Sequence, residues 1–142
     1  VRALRPDIVF GADLIAGFPT ETDAMFENSL RIVTEADLTY LHVFPFSPRE
    51  GTPAARMPQL PRRLGKERAA QLRALGDLQY NKFCESRVGD IETVLMERDG
   101  LGRTEQFVSI AVPGHGPGEI VAVRVTGASP DGLVGEPIRT AA

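Results

Sequence analysis

His42-Val43-Phe44-Pro45-Phe46-Ser47-Pro48-Arg49-Glu50-Gly51-Thr52-Pro53-Ala54-Ala55-Arg56-Met57-Pro58 begins as a strand and ends as a proline-punctuated basic loop. Tyr40 to Phe46 has strand composition, with Leu41 and Val43 on one face and Tyr40, His42, Phe44 and Phe46 on the other. Residues 47 to 61 hold Pro48, Pro53, Pro58 and Pro61, too many for a helix or a central strand. Upstream, residues 7 to 18 read as a buried strand running into a turn, because Ile8-Val9-Phe10 and Leu14-Ile15-Ala16 are apolar and Gly17-Phe18-Pro19 ends the run. Between the two lies a helix. Thr22 is a good N-cap, Asp23 suits the first turn, and Phe26, Leu30 and Val33 recur at i, i+4 and i+7. Strand, helix and strand in this order make a βαβ unit with parallel strands and a right-handed crossover.

Alternation assigns the faces. In the first strand Leu14 and Ala16 oppose Asp13, Ile15 and Gly17. A carboxylate buried against helices is costly without a partner. Asp13, Ile15, His42 and Phe44 are therefore expected to point into a barrel lumen, toward the C-terminal mouth where α/β barrels place their chemistry. There Asp13 either binds a hydroxyl or amine of a ligand or caps neighbouring backbone. His42 is either a packed, hydrogen-bonded ring or a proton handler at neutral pH. Gly17 to Glu21 leads into a helix N-terminus, a place suited to polar or anionic groups.

A long helix is expected from about Arg62 to Arg87. Leu64, Leu72, Leu75, Leu78 and Phe83 form its apolar stripe, Gly65 and Gly76 weaken it, and Cys84 is a small buried side chain on its apolar side. From Asp90 the texture changes to short alternating segments at 91–96, 106–112, 119–126 and 133–134, separated by Asp99-Gly100, by a Gly/Pro run at 113–118 and by Pro130-Asp131-Gly132. That pattern predicts a small all-β barrel, with Val121, Val123 and Val125 facing one way and Ala122 and Arg124 the other. His115 reads as a surface residue of the Gly/Pro loop. The domains are then 1–61, a connector helix 62–88, and 89–142.

The chain has 142 residues, 42% hydrophobic and 25% charged, which is typical of a globular protein. No apolar run is long enough to span a bilayer, since Asp13 interrupts the best candidate. One cysteine excludes an internal disulfide framework and fits a reducing, cytoplasmic setting. One cysteine and two widely separated histidines make no metal-ligand cluster. The net charge of −3 is unevenly spread. Arg49, Arg56, Arg62, Arg63, Lys66, Arg68 and Arg73 stand in one stretch against only Glu50 and Glu67. This stripe is either a phosphate-facing surface or a solvated helix face. Arg2 to Pro6 resembles the tail of a helix, so the chain is expected to be the C-terminal part of something longer.

Two segments carry a family resemblance. Asp13-Leu14-Ile15-Ala16-Gly17-Phe18-Pro19-Thr20-Glu21-Thr22 resembles the D-x-I-x-G-F-P-G-E-T segment of the radical-SAM methylthiotransferases that modify tRNA, with Thr20 in place of the usual glycine. Leu41 to Pro58 resembles the strand and loop that follow it, in wording most similar to the branch acting on threonylcarbamoyladenosine. Gly102 to Phe107, Gly118 to Gly127 and Gly132 to Gly135 resemble the TRAM domain, a small β-barrel implicated in RNA binding.

The resemblance implies the end of a radical-SAM partial (βα) barrel, a connector helix and a small antiparallel TRAM-like barrel, an α/β plus all-β chain. It implies a parent enzyme that adds a methylthio group to C2 of N6-threonylcarbamoyladenosine at tRNA position 37, using S-adenosylmethionine and two 4Fe-4S clusters. Asp13, Ile15, Gly17, Phe44, Phe46 and Ser47 would lie near the adenosylmethionine. Arg49, Arg56, Arg62, Arg63 and Lys66 would approach tRNA phosphates, and Phe107 and Arg124 would hold the anticodon arm by stacking and charge. The C-x-x-x-C-x-x-C cluster ligands are absent from residues 1–142. The chain alone is thus expected to be inactive, with no catalytic residue of its own and the missing N-terminal part of the polypeptide as a partner. The alternatives are a stand-alone RNA-binding module, or a methylthiotransferase for isopentenyladenosine or a ribosomal protein.

Overall fold

A computed structural model describes residues 1–138; the last four residues of the domain expected at 89–142 lie outside them. The chain divides into two compact units, Val9–Gln79 and, together, Val1–Ile8 with Tyr80 onward.

In the first unit, β1 (Gly11–Ala16) and β2 (Tyr40–Pro45) flank α1 (Asp23–Glu35), followed by a 3₁₀ turn at Ala54–Arg56 and the start of α2 (Arg62–Ser86). β1 and β2 pair in parallel, with Asp13 opposite His42 and Ile15 opposite Phe44. The βαβ unit is thus the one the periodicity predicts. Thr22 caps α1, its hydroxyl accepting from the Met25 N–H at 3.2 Å. Ala16 and Val43 pack with Phe26 and Val33 of α1 and with Ala69 and Leu72 of α2, and Leu14 and Leu41 lie against that core. Asp13, Ile15, His42 and Phe44 lie on the opposite, exposed face. The first strand is shorter than expected. Ile8-Val9-Phe10 stands outside β1, and the Phe10 carbonyl instead accepts from the Thr39 and Tyr40 N–H groups.

One expectation for α2 needs correction. Leu78 is 66% exposed and does not belong to the buried stripe. Gly76 is also a packing site, and the Gly17 turn lies close against Gly65. A Cβ at Gly76 would sit 3.2 Å from the Leu41 side chain, and one at Gly17 would sit 2.6 Å from the Gly65 Cα. The helix approaches the strand closely at Gly76 and the turn closely at Gly17 because these two positions carry no side chain.

In the second unit β3 (Ile91–Arg98), β4 (Leu101–Thr104), β5 (Ser109–Ala111), β6 (Ile120–Ser129) and β7 (Gly132–Pro137) close into a barrel in the order β3-β4-β5-β7-β6. Every pairing is antiparallel except β5 with β7, which is parallel, so the barrel is mixed where a purely antiparallel one was expected. The reason is connectivity: the β6–β7 hairpin brings β7 back beside β5 in the same direction. β4 is the strand that periodicity does not announce. It has four residues, and a Cβ on its Gly102 would fall 2.6 Å from Val94 Cγ1 and from the Leu95 carbonyl oxygen. The core holds Val94, Met96, Val108, Ile110, Val112, Val123, Val125 and Leu133, together with Cys84 from the end of α2. Val123 and Val125 point inward while Ala122 and Arg124 are exposed, in line with the alternation. Burial pushes the Cys84 thiol up, so it stays protonated and inert. Residues 1–5 make a single turn, with Arg5 N–H donating to the Val1 carbonyl, where a helix tail was expected.

Candidate cofactor cleft and nucleic-acid interface

The C-terminal ends of β1 and β2 open onto two adjacent clefts in the first unit. One, of about 580 Å³, is lined by Ile15, Phe44, Phe46 and Ser47 together with Arg49. The other, of about 470 Å³, is lined by Gly17, Phe46 and Ser47 together with Arg62 and Lys66. Pro45, Phe46 and Ser47 form part of both. Five of the six residues expected near a cofactor therefore converge. Asp13 does not: it is exposed, opposite His42, and lines neither cleft.

The turn that leads into the second cleft is held by a network that sequence spacing could not reveal. Arg68, 3% exposed, donates from Nη1 to the Glu21 carboxylate at 2.7 Å and to the Glu21 carbonyl at 3.1 Å, and from Nη2 to Asp23 Oδ1 at 2.5 Å. Glu21 Oε1 also accepts from the Gly17 N–H at 3.0 Å. The guanidinium carbon lies 5.3 Å from the Phe26 ring centroid, a cation–π distance. Phe18 meets Phe46 edge-on, with centroids 5.2 Å apart. Thr20, which replaces the glycine of the resembled pattern, has φ of +71°. The position demands left-handed backbone, and a threonine there is strained.

The basic stripe resolves into two kinds of residue. Arg68 and Arg73 serve the fold, Arg73 by donating to the Val43 carbonyl at 2.9 Å, and exposed Arg63 pairs with Glu67 at 3.5 Å. Arg49, Arg56, Arg62 and Lys66 are exposed, and among the described residues none of them has an acidic partner. Gln59 braces the loop before α2, donating to the Ala54 and Met57 carbonyls at 2.9 and 2.8 Å.

On the barrel, Phe107 is 73% exposed and has φ of +64°, a strained backbone for an aromatic residue. Arg103 holds that turn by donating to the Phe107 carbonyl at 3.1 Å. Arg124 is exposed and donates to the Gly89 carbonyl at 2.9 Å. His115 is half-buried, and its Nδ1 lies 2.7 Å from Glu119. The reading of His115 as a plain surface residue overlooked this partner four positions on. The His115 ring and the Gly116 N–H hold the Glu119 carboxyl below its usual range.

The residues present do not fit an iron–sulfur cluster. The lone cysteine is buried in the barrel core, and no group of three potential ligands occurs among the described residues. No described helix is long and apolar enough to cross a membrane.

Residues 86–138 match the TRAM domain family. The chain is 53% identical over 110 residues to the threonylcarbamoyladenosine tRNA methylthiotransferase MtaB of Rickettsia prowazekii, covering 78% of this chain and 26% of that protein. It is 35% identical over 144 aligned positions to a tRNA-2-methylthio-N(6)-dimethylallyladenosine synthase of Bartonella bacilliformis, and 38% identical over 146 to its namesake from Cereibacter sphaeroides. Those alignments cover 96% and 97% of this chain but 31% and 34% of the relatives. The chain thus spans about a quarter to a third of the length of the curated relatives it matches. With a closed five-stranded barrel at the matched residues and relatives of one kind along nearly all of its length, the chain carries a TRAM domain and fits a C-terminal fragment of a radical-SAM methylthiotransferase.

Proposed function

We propose that the chain supplies the RNA-facing part of a tRNA methylthiotransferase that acts on N6-threonylcarbamoyladenosine. Residues 1–61 are its last barrel strands and loop, 62–88 its connector, and 89–142 its RNA-binding barrel. The observation that carries this reading is the sorting of the basic stripe: Arg49, Arg56, Arg62 and Lys66 stay unpaired, and three of them line the clefts at the strand ends. Cations left without carboxylates gain most from phosphate contact. The substrate assignment leans on the higher identity to the threonylcarbamoyladenosine enzyme than to the dimethylallyladenosine enzymes.

The cleft of Ile15, Phe44, Phe46 and Ser47 has the apolar wall and the few polar groups, among them the Ser47 and Thr52 hydroxyls, that fit the adenosyl part of S-adenosylmethionine. That group, when bound, supplies a radical or a methyl group. This chain's own residues would position it and exclude water. Cluster binding falls to residues outside this chain, and no step through a cluster is assigned to it.

The test is binding of an anticodon stem–loop RNA to the chain, read by fluorescence anisotropy over a range of salt. Replacing Arg56, Arg62 or Arg124 with alanine should make the log–log salt dependence shallower by about 0.7–0.9 for each phosphate-neutralising cation removed. Phe107→Ala should weaken binding with the salt slope unchanged, as loss of a stacking platform would. Absence of salt-dependent binding would refute the reading.

A further inference from the structure

Residues assigned from sequence to a cofactor meet a pair of cations assigned to RNA in the cleft of about 470 Å³ between the end of β2 and the start of α2. Its cationic side is Arg62 and Lys66, one turn apart on the same helix face, and no carboxylate lines it. Neighbouring Arg63 lies outside the lining and is occupied by Glu67. The floor is backbone, where Gly17 meets Gly65 too closely to admit a Cβ. The Gly17 N–H is already spent on Glu21, so the positive charge that the cleft offers an anion comes from the two side chains. Phe46, braced edge-on by Phe18, lines the same cleft.

An aromatic ring and an arginine–lysine pair lining one space of this size suit a planar base joined to a phosphate. We infer that this cleft is a single-nucleotide subsite for an RNA strand, with a backbone phosphate on Arg62 and Lys66 and the attached base against Phe46. The inference rests on the proposed RNA-binding function and names the part of the surface that takes one nucleotide. It separates this cleft from the adjoining one of Ile15 and Phe44, which lacks the cation pair.

The experiment titrates the 142-residue chain with 5′-AMP, adenosine, an adenine-containing RNA trinucleotide and S-adenosylhomocysteine, following the backbone amide signals of Gly17, Ser47 and Gly65. AMP should shift all three, adenosine should bind more weakly, and the trinucleotide should displace AMP and bind more tightly. Joint Arg62→Ala and Lys66→Ala replacement should raise the AMP dissociation constant about tenfold or more, while Arg31→Ala, at an exposed arginine outside the cleft, leaves it unchanged. Phe46→Leu should weaken AMP and adenosine alike. AMP binding indifferent to the double replacement would overturn the subsite, as would AMP binding tighter than the trinucleotide, which marks a free-nucleotide site. Displacement of AMP by S-adenosylhomocysteine that depends on Arg62 and Lys66 would also overturn it, marking an amino-acid carboxylate site. If the stem–loop RNA binds but these three amides do not move, the subsite fails and the proposed function stands. If the stem–loop does not bind at all, both fail.

Discussion

Replacing Arg68 with methionine tests the network that fixes the turn beneath the clefts. Methionine keeps much of the side-chain volume and removes the charge. Glu21, whose side chain is 9% exposed, would be left with the Gly17 N–H as its remaining contact in this network. Breaking a buried ion pair from one side costs about 3–5 kcal/mol, chiefly because the other charge stays buried and unpaired. The Asp23 arm adds little, since that carboxylate is 97% exposed and water already serves it. Adding Glu21→Gln to Arg68→Met removes the stranded charge while keeping an acceptor for the Gly17 N–H, so the double variant should recover at least about 1–2 kcal/mol. Hydrogen exchange of the Gly17 amide is the local assay. A loss of about 3 kcal/mol corresponds to faster exchange by about two orders of magnitude. The Val94 and Val123 amides of the barrel serve as an internal reference that should hardly change. Urea unfolding followed by circular dichroism gives the global counterpart. A single variant costing less than about 1 kcal/mol, or a double variant no more stable than the single, would refute the argument that the Glu21 charge depends on Arg68.

Other consequences follow from strain, packing and titration. Thr20→Gly should stabilise the chain by about 0.5–1 kcal/mol, because the left-handed penalty at φ +71° exceeds the added chain entropy of glycine; a fall in melting temperature would contradict this. Phe107→Gly should likewise raise stability by about 0.5–1 kcal/mol while weakening stem–loop RNA binding, since the exposed ring packs little and its backbone is strained; joint loss of both properties would count against a stacking role. Gly102→Ala should cost about 1–3 kcal/mol or more in thermal unfolding, because the new methyl group meets Val94 and the Leu95 carbonyl inside the barrel wall. The depressed Glu119 carboxyl favours the folded state above the ordinary carboxylate range, and this contribution disappears as pH falls through its lowered value. The melting temperatures of the chain and its Glu119→Gln variant should therefore converge in acid, and a gap that widens there would reverse the sign of the argument.

The sequence by itself determined what depends on local pattern. The periods of 2 and 3.6, the Thr22 cap and the Gly/Pro punctuation carry the βαβ unit, the long helix and the small barrel, because side-chain direction along a strand or helix is a local geometric property. The strand-end residues Ile15, Phe44, Phe46 and Ser47 were legible for the same reason. Parallel strands bring their C-terminal ends to one edge, where the clefts open. What the pattern could not reveal was pairing across long separations. Arg68 looked like one more cation of an exposed stripe, and only the packing of α2 against the turn buries it on Glu21, 47 residues away. Gly76 looked like a flaw in a helix, but the Leu41 side chain lies against it and leaves little room for a Cβ. β4 and the parallel β5–β7 contact depend on closing a barrel, which no single segment encodes. Composition supplied the cations, and the tertiary structure decided which of them the fold consumes and which stay exposed without an acidic partner among the described residues.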